Sequence, residues 1–400
     1  MPAMPPDSDQ PRLPLAVVGA GAMGAGIAQV AAQAGHEVHL VDAREGAAEA
    51  AVVTLAATLR RLAAKGKVTS DAAEHAISRL HPAGTDVSTL PPVGLALEAV
   101  VEDLDVKRQI FVALERTQSA DTMLASNTSS LDISAISQGL DRPGRVLGLH
   151  FFNPPPLMRL VEVIRGAESD RQVLDAAARL VQSWGKTTVE CTSTPCFIVH
   201  RVARPFYGEA QRMVADGTLD PASVDLALRD HAGFRMGPME LTDLIGQDVN
   251  LAVGTSVWEQ TGHDPRYAPT DLQRSLVARG RLGRKSGHGV FRYDERGRPM
   301  DADPDPDLVA RLVGGPVETD PVARTLAMLV NEGVDLVHRG EASATDVDTA
   351  MRLGTNYPRG PFEWLDEIGR ETVVAQLWAL DAAFPGGRYR VSTALLEDAR

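Results

Sequence analysis

The chain has 400 residues, 44% of them hydrophobic, with a formal net charge of −13, enough apolar material for two or three domains rather than a single core. Its lysines and arginines are scattered, which argues against a nucleic-acid surface or an anionic membrane and makes a small molecule the expected partner. No apolar run approaches the roughly 20 residues of a bilayer helix, and Cys191 and Cys196, without a second pair or a histidine cluster, exclude a metal site and a disulfide framework.

Residues 1–12, within "MPAMPPDSDQPRLP", are proline-rich and lack an apolar signal core, so they read as a disordered tail on a reduced, cytoplasmic protein. The next stretch, "LAVVGAGAMGAGIAQVAAQAGHEVHLVD", passes from a short apolar strand through glycines into an Ala-rich helix and returns to strand, a βαβ unit. Gly19 permits the tight turn, Gly21 lets the backbone approach a pyrophosphate, and Gly24 allows close helix packing. Ala22 and Met23 complete the loop at the helix N-terminus, whose N–H groups suit an anion. Asp42, ending the second strand, would accept the ribose hydroxyls and favour NAD over NADP, although Arg44 stands close by.

Helical pattern then runs to about Leu80, with a basic turn at Lys65 and Lys67. "VGLALEAVVEDLDVKRQIFVALE" gives a buried strand, a turn at Glu102 and a helix bearing Lys107; "TMLASNTSSLDISAIS" gives a strand, a Ser/Thr/Asn turn suited to capping, and a helix. "RVLGLHFF" and "MRLVEVIRG" are strands separated by prolines, with His150 and Asn153 at a strand end and Glu162 beyond the bend. Strands alternating with helices predict a Rossmann-type doubly wound parallel sheet over residues 13–192, with ligands at the carboxyl ends of its strands.

The remainder is helical and duplicated. "RVARPFYGEAQRMVADG" and "RTLAMLVNEGVDLVHRG" match at one offset of 123, which pairs Arg201 with Arg324 and Glu209 with Glu332. The same offset aligns "VDLALRDHAGFRMGPMELTDLIG" with "VDTAMRLGTNYPRGPFEWLDEIG", so Asp225 matches Asp348. Two copies of one all-α domain are therefore expected, at 193–296 and 318–400, joined by a polar, Pro- and Asp-rich linker at 297–317.

These motifs, with "GFRMGPMELTDLIG" and "GRLGRKSGHGVF", resemble the L-3-hydroxyacyl-CoA dehydrogenases along nearly the whole chain, and "RVARPFYGEA" looks most like the 3-hydroxyadipyl-CoA dehydrogenases of phenylacetate breakdown. The resemblance implies NAD-dependent, reversible oxidation of an L-3-hydroxyacyl-CoA in fatty-acid or aromatic-acid catabolism. His150 would be the general base, held in one tautomer by Glu162, and Ser129 would hydrogen-bond the C3 oxygen. Glu102, Lys107, Asn153, Ser129 and Lys285 match cofactor-side positions; Thr58 and Lys65, two turns apart on a helix face, match positions against coenzyme A. Single-copy relatives pair through the helical domain, so a homo-oligomer is one expectation and a self-sufficient monomer the other.

Two positions depart from the family pattern: Cys196 replaces a glycine, and His200 replaces the asparagine that helps Ser129 at the C3 oxygen. A rival reading is therefore a binding protein that keeps its NAD and CoA ligands without efficient turnover. A third reading, a hydroxyacid or imine reductase on the same sheet, would be indifferent to CoA.

Overall fold

The computed structural model describes residues 12–397, and residues 1–11 of the tail expected over 1–12 lie outside them. The chain divides into two compact units, residues 1–188 and 189–400.

The chain forms a sheet of eight strands, β1 (Leu15–Val18), β2 (Val38–Val41), β3 (Leu80–Pro82), β4 (Leu95–Glu98), β5 (Met123–Ser126), β6 (Val146–Phe151), β7 (Leu160–Arg165) and β8 (Thr187–Thr192), in the spatial order 3-2-1-4-5-6-7-8, with β1 to β7 inside the first unit and β8 at the boundary. Helices α1 (Ala22–Gln33), α2 (Ala47–Ala64), α3 (Ser70–Ser78), α4 (Leu104–Thr117), α5 (Ile133–Ser137) and α6 (Arg171–Ser183) connect the strands. The central strands are buried throughout and apolar except where β4 and β5 end in Glu98 and Ser126, as suits strands covered on both faces. Leu15, Val17, Leu40, Leu97, Ala125, Leu147 and Leu149 form the core of this unit. The strands from β3 to β6 pair in parallel, and the chain order reverses beside β1, so the carboxyl ends of β1 and β4 flank a crevice.

The sheet departs from the all-parallel expectation at one place. β7 runs antiparallel to β6, because only residues 152–159 join them, too short a connection for the helical crossover a parallel pair requires.

The second unit is helical: α7 (Val199–Val202), α8 (Arg204–Ala215), α9 (Pro221–Ala232), α10 (Pro238–Ile245), α11 (Gln247–Gln260), α12 (Asp271–Ala278), α13 (Pro306–Leu312), α14 (Pro321–His338), α15 (Ala344–Gly354), α16 (Pro361–Ile368), α17 (Arg370–Ala383) and α18 (Thr393–Leu396). The duplication is visible in its capping bonds. Asp225 of α9 accepts from the Met239 N–H at the start of α10 at 2.8 Å, and Asp348 of α15 accepts from the Phe362 N–H at the start of α16 at 2.8 Å. The segment expected as linker carries a short helix, α13, whose Val309 is buried. Among the described residues no helix is long and apolar enough to cross a membrane.

Candidate active site

His150 lies in β6 and Glu162 in β7, and the antiparallel register makes them direct cross-strand partners. Opposed residues on paired strands share one face of the sheet, so the two side chains meet. The His150 Nδ1 and Glu162 Oε2 are 2.6 Å apart, and both side chains are buried, with His150 4% and Glu162 0% exposed. A carboxylate can only accept, so Nδ1 carries the proton and Nε2 is the ring nitrogen able to accept one. The Phe152 ring packs 4.5 Å from the imidazole, centroid to centroid. Asn127, which the sequence reading passed over, accepts the Phe151 N–H at 2.8 Å and ties the turn after β5 to the strand that carries the base.

Ser129 stands in that same turn. It does not cap α5: Asp132 does, accepting from the Ser134 N–H at 3.0 Å. The turn is organised by Glu102, whose Oε1 accepts from the Thr128 hydroxyl at 2.6 Å, the Ser130 hydroxyl at 3.0 Å and the Ser129 N–H at 3.0 Å. Burial would raise the Glu102 pKa, but the Lys107 ammonium and these donors reverse the shift and lower it. Lys107 is 1% exposed and bonds Glu98 at 2.7 Å as well as Glu102 at 3.3 Å. Glu98, absent from the sequence-based candidates, also accepts from the Ser126 hydroxyl at 2.6 Å. Lys107 is thus enclosed behind Glu102.

The glycine motif fits a dinucleotide. Gly19 has φ +108° and lies so close to the Ala99 carbonyl that a Cβ would come within 2.5 Å of it. Gly24 packs against Gly19, whereas a Cβ on Gly21 would meet nothing within 4 Å, which leaves open the space at the N-terminus of α1 where a pyrophosphate approaches. Ala22 and Met23 form the first turn of that helix. Asp42, at the end of β2, accepts from the Ala20 N–H at 2.8 Å and is gripped by the Arg44 guanidinium at 3.0 and 3.1 Å. That guanidinium, followed by smaller contributions, holds the Asp42 carboxyl down at about 2. The base-bearing bend adjoins the cofactor helix, since a Cβ on Gly26 of α1 would strike the Pro155 ring. Exposed Asn153 lies two residues beyond the end of β6.

The other candidates lie apart from this cluster. Thr58 is half-buried on α2 and Lys65 is exposed at its C-terminal cap; among the described residues no hydrogen bond joins either to His150 or Glu162. In the second unit, half-buried His200 lies on α7, and its carbonyl accepts from Arg204 Nε at 2.8 Å. Cys196, at the family's glycine position, has φ +59°. Lys285 pairs with Asp248 at 2.6 Å. Among the described residues no group of three His, Cys, Asp or Glu side chains converges as metal ligands would.

Comparison with known proteins gives the chain's family. The 3-hydroxyacyl-CoA dehydrogenase NAD binding domain matches residues 14–194, and the C-terminal domain of the same family matches twice, at 197–293 and 321–399. The chain is 38% identical to the 3-hydroxyadipyl-CoA dehydrogenase of Escherichia coli over 96% of this chain and 97% of that one. It is 41% identical to a probable 3-hydroxybutyryl-CoA dehydrogenase of Bacillus subtilis, over 70% of this chain and 97% of the relative. A crystal structure of an Escherichia coli 3-hydroxybutyryl-CoA dehydrogenase superposes with a TM-score of 0.87 at 37% identity, covering 96% of this chain and 97% of that one. The chain therefore belongs to the 3-hydroxyacyl-CoA dehydrogenase family, with one NAD-binding domain and two copies of the family's C-terminal domain.

Proposed function

We propose that the protein oxidises an L-3-hydroxyacyl-CoA to the 3-oxoacyl-CoA, and reverses the reaction, with His150 as general base. The observation that carries this reading is the buried 2.6 Å contact of His150 Nδ1 with Glu162. NAD, when bound, supplies the hydride acceptor. His150 Nε2 takes the proton of the 3-hydroxyl, and Glu162 fixes the tautomer and stabilises the imidazolium that results. Ser129, in the turn organised by Glu102, offers its hydroxyl to the C3 oxygen. Thr58 and Lys65 hold coenzyme A, the ammonium suiting a nucleotide phosphate. Asn153 and Lys285 complete the cofactor side, and Lys107 positions Glu102 from behind. The name of the Escherichia coli relative, a 3-hydroxyadipyl-CoA dehydrogenase, supports an acyl-CoA substrate.

The direct test is nicotinamide absorbance with NADH and acetoacetyl-CoA, run beside NADPH and the variants His150→Gln and Glu162→Gln. The expected result is turnover with NADH that falls on the order of 10²–10⁴-fold in the His150 variant. Wild-type rates in both variants would remove the dyad from the mechanism.

One observation favours a second reading. At the family's asparagine position stands His200, preceded by a left-handed Cys196, and a misplaced donor at a developing oxyanion costs on the order of 10²–10³ in rate. A large gain in rate for His200→Asn would support a protein that holds its ligands and converts them slowly. A loss would make the imidazole a working donor to the C3 oxygen.

A further inference from the structure

Six arginines are half-buried or deeper around α8, and four of them meet carboxylates: Arg201 and Arg266 meet Glu332, and Arg324 and Arg388 meet Glu209. Arg204 and Arg212, both on α8, form no ion pair among the described residues. Arg204 donates to the His200 carbonyl at 2.8 Å and, weakly, to the Asn250 carbonyl at 3.4 Å, and its guanidinium lies 4.9 Å from the Tyr207 ring centroid. Arg212 donates to the Ala268 carbonyl at 2.9 Å, while its Nε is sealed in with no acceptor. Desolvation pushes both pKa values down, and the Arg388 charge adds to it at Arg212, which falls to about 10. A guanidinium held in low dielectric without a counter-charge is costly unless an anion joins it.

Arg204 lines a cavity of about 30 Å³ together with Arg266, Arg388 and the side-chain amides of Gln211, Asn250 and Gln273. Three arginines are in its walls and no aspartate or glutamate is. The Thr270 hydroxyl donates to Gln211 Oε1 at 2.6 Å, and Gln273 Nε2 donates to Asn250 Oδ1 at 3.0 Å. Both acceptor oxygens are thus tied off and the NH₂ groups of Gln211 and Asn250 remain, although each residue is only 4% exposed. Gln273 opposes them with its Oε1, since its Nε2 is spent on Asn250 and Gln247. Cations with spare donors suit a ligand that only accepts. The volume sets its size: one water needs about 10–15 Å³ on this scale, so the cavity takes a halide-sized ion and one water that donates to it and to Gln273, and it rejects a phosphate ester.

The second copy of the domain supplies the comparison. At the offset of 123, Arg204, Gln211 and Asn250 correspond to Ala327, Val334 and Val373, all buried. The same scaffold therefore packs with apolar side chains at all three places, and the cation and its two neighbouring donors occur together in one copy only. We infer that this cavity binds a halide-sized inorganic monoanion, with Arg204 as its charged receptor and the amide NH₂ groups of Gln211 and Asn250 as its further donors. The bound ion compensates Arg204 and ties α8 to α11. It takes no part in proton or hydride transfer, and it stabilises the folded helical unit by binding that state alone.

The test follows melting of the full chain as sodium gluconate is exchanged for sodium chloride or sodium bromide at constant ionic strength, in wild type, Arg204→Met and Gln211→Glu. Wild type should gain about 2–5 °C, with saturation, in either halide. Arg204→Met should lose that gain. Gln211→Glu keeps the oxygen that accepts from Thr270 and puts a carboxylate in place of the NH₂, so it should melt in gluconate near wild type in chloride and respond to neither halide. Should Arg204→Met not fold, the Gln211 variant carries the comparison, and a wild-type crystal soaked in bromide should show anomalous scattering between Arg204, Gln211 and Asn250. A wild type indifferent to both halides, a gain retained in either variant, or a soaked crystal without bromide in the cavity overturns the proposal.

Discussion

Arg201 of the first helical copy donates through Nε to Glu332 of the second at 2.7 Å, and both side chains are fully enclosed. The bond has a mirror. Arg324, equivalent to Arg201, donates to Glu209, equivalent to Glu332, at 2.8 Å. Each carboxylate also receives a tyrosine hydroxyl and a second arginine from the opposite copy: Tyr267 and Arg266 on Glu332, Tyr389 and Arg388 on Glu209. Each copy thus inserts one glutamate into a cage made by the other. Removing one partner of a buried ion pair leaves a charge without compensation, at a cost of about 3–5 kcal/mol. Glu209→Gln and Glu332→Gln should each lower unfolding stability by that order in urea titrations, and to similar extents. A silent variant at either position would contradict the paired arrangement.

The cage also sets an acid limit. Burial alone would push Glu209 up, but Arg388 and Arg324 overcome it and hold the carboxyl down from 4.5 to about 2. A carboxyl depressed in the folded state contributes stability above its unfolded pKa, and that stability is lost as pH falls through the folded value. Wild-type stability should therefore decline between about pH 4.5 and 2, and Glu209→Gln should decline less steeply there. Circular dichroism across that window gives both slopes; parallel curves would rule the contribution out.

Two glycines of the cofactor loop should behave oppositely on substitution. A Cβ at Gly24 would lie 1.8 Å from the Gly19 carbonyl oxygen, so Gly24→Ala forces the backbone apart and should cost at least about 1–3 kcal/mol. Gly21→Ala has open space and an extended backbone, so its melting temperature should stay near wild type. Its NADH dissociation constant should rise about tenfold or more, because the added methyl occupies the pyrophosphate approach. Fluorescence titration with NADH alongside a melting curve separates the two effects.

Asp42 restrains Arg44 as well as selecting the cofactor. With the carboxylate gone, the bidentate grip on Arg44 is released and the exposed guanidinium can meet a 2′-phosphate. Asp42→Ser should raise the NADPH-to-NADH ratio of kcat/KM by roughly 10- to 100-fold. An unchanged ratio would mean that Arg44 does not reach the ribose.

Cys196 holds a left-handed conformation that costs a non-glycine residue about 1–2 kcal/mol. It is also 1% exposed, packed with Val257 and Tyr267. Truncation to alanine loses the packing and keeps the strain, whereas glycine loses slightly more packing and sheds the strain. Cys196→Gly should therefore be more stable than Cys196→Ala by about 1 kcal/mol, the reverse of the usual order, as chemical unfolding would show.

Much of this was legible in the residues. The glycine loop, the strand with His150 and the duplication each rest on local pattern, which sequence displays directly. The chain also shows that Arg201 and Glu209 recur as Arg324 and Glu332. It does not show that the copies exchange partners, because that depends on how α8 and α14 are set together, and the offset slips by one before Arg266 and Arg388. Lys107 read as a cofactor contact by resemblance, yet its ammonium is enclosed with Glu98 and Glu102. Glu98 and Ser126 are 28 positions apart and meet only through strand register, which parallel strands leave unwritten in local sequence.

Had the two halves of the helical unit been separate copies of one chain, every substitution would have entered both at once. Joined in tandem, they can diverge under different constraints. The residues that hold the halves together, Arg201 with Glu332 and Arg324 with Glu209, remain in matched pairs. His200 and Arg204 face Ala323 and Ala327 across the pseudo-symmetry. The tandem arrangement thus leaves one copy able to differ where the other need only keep its grip.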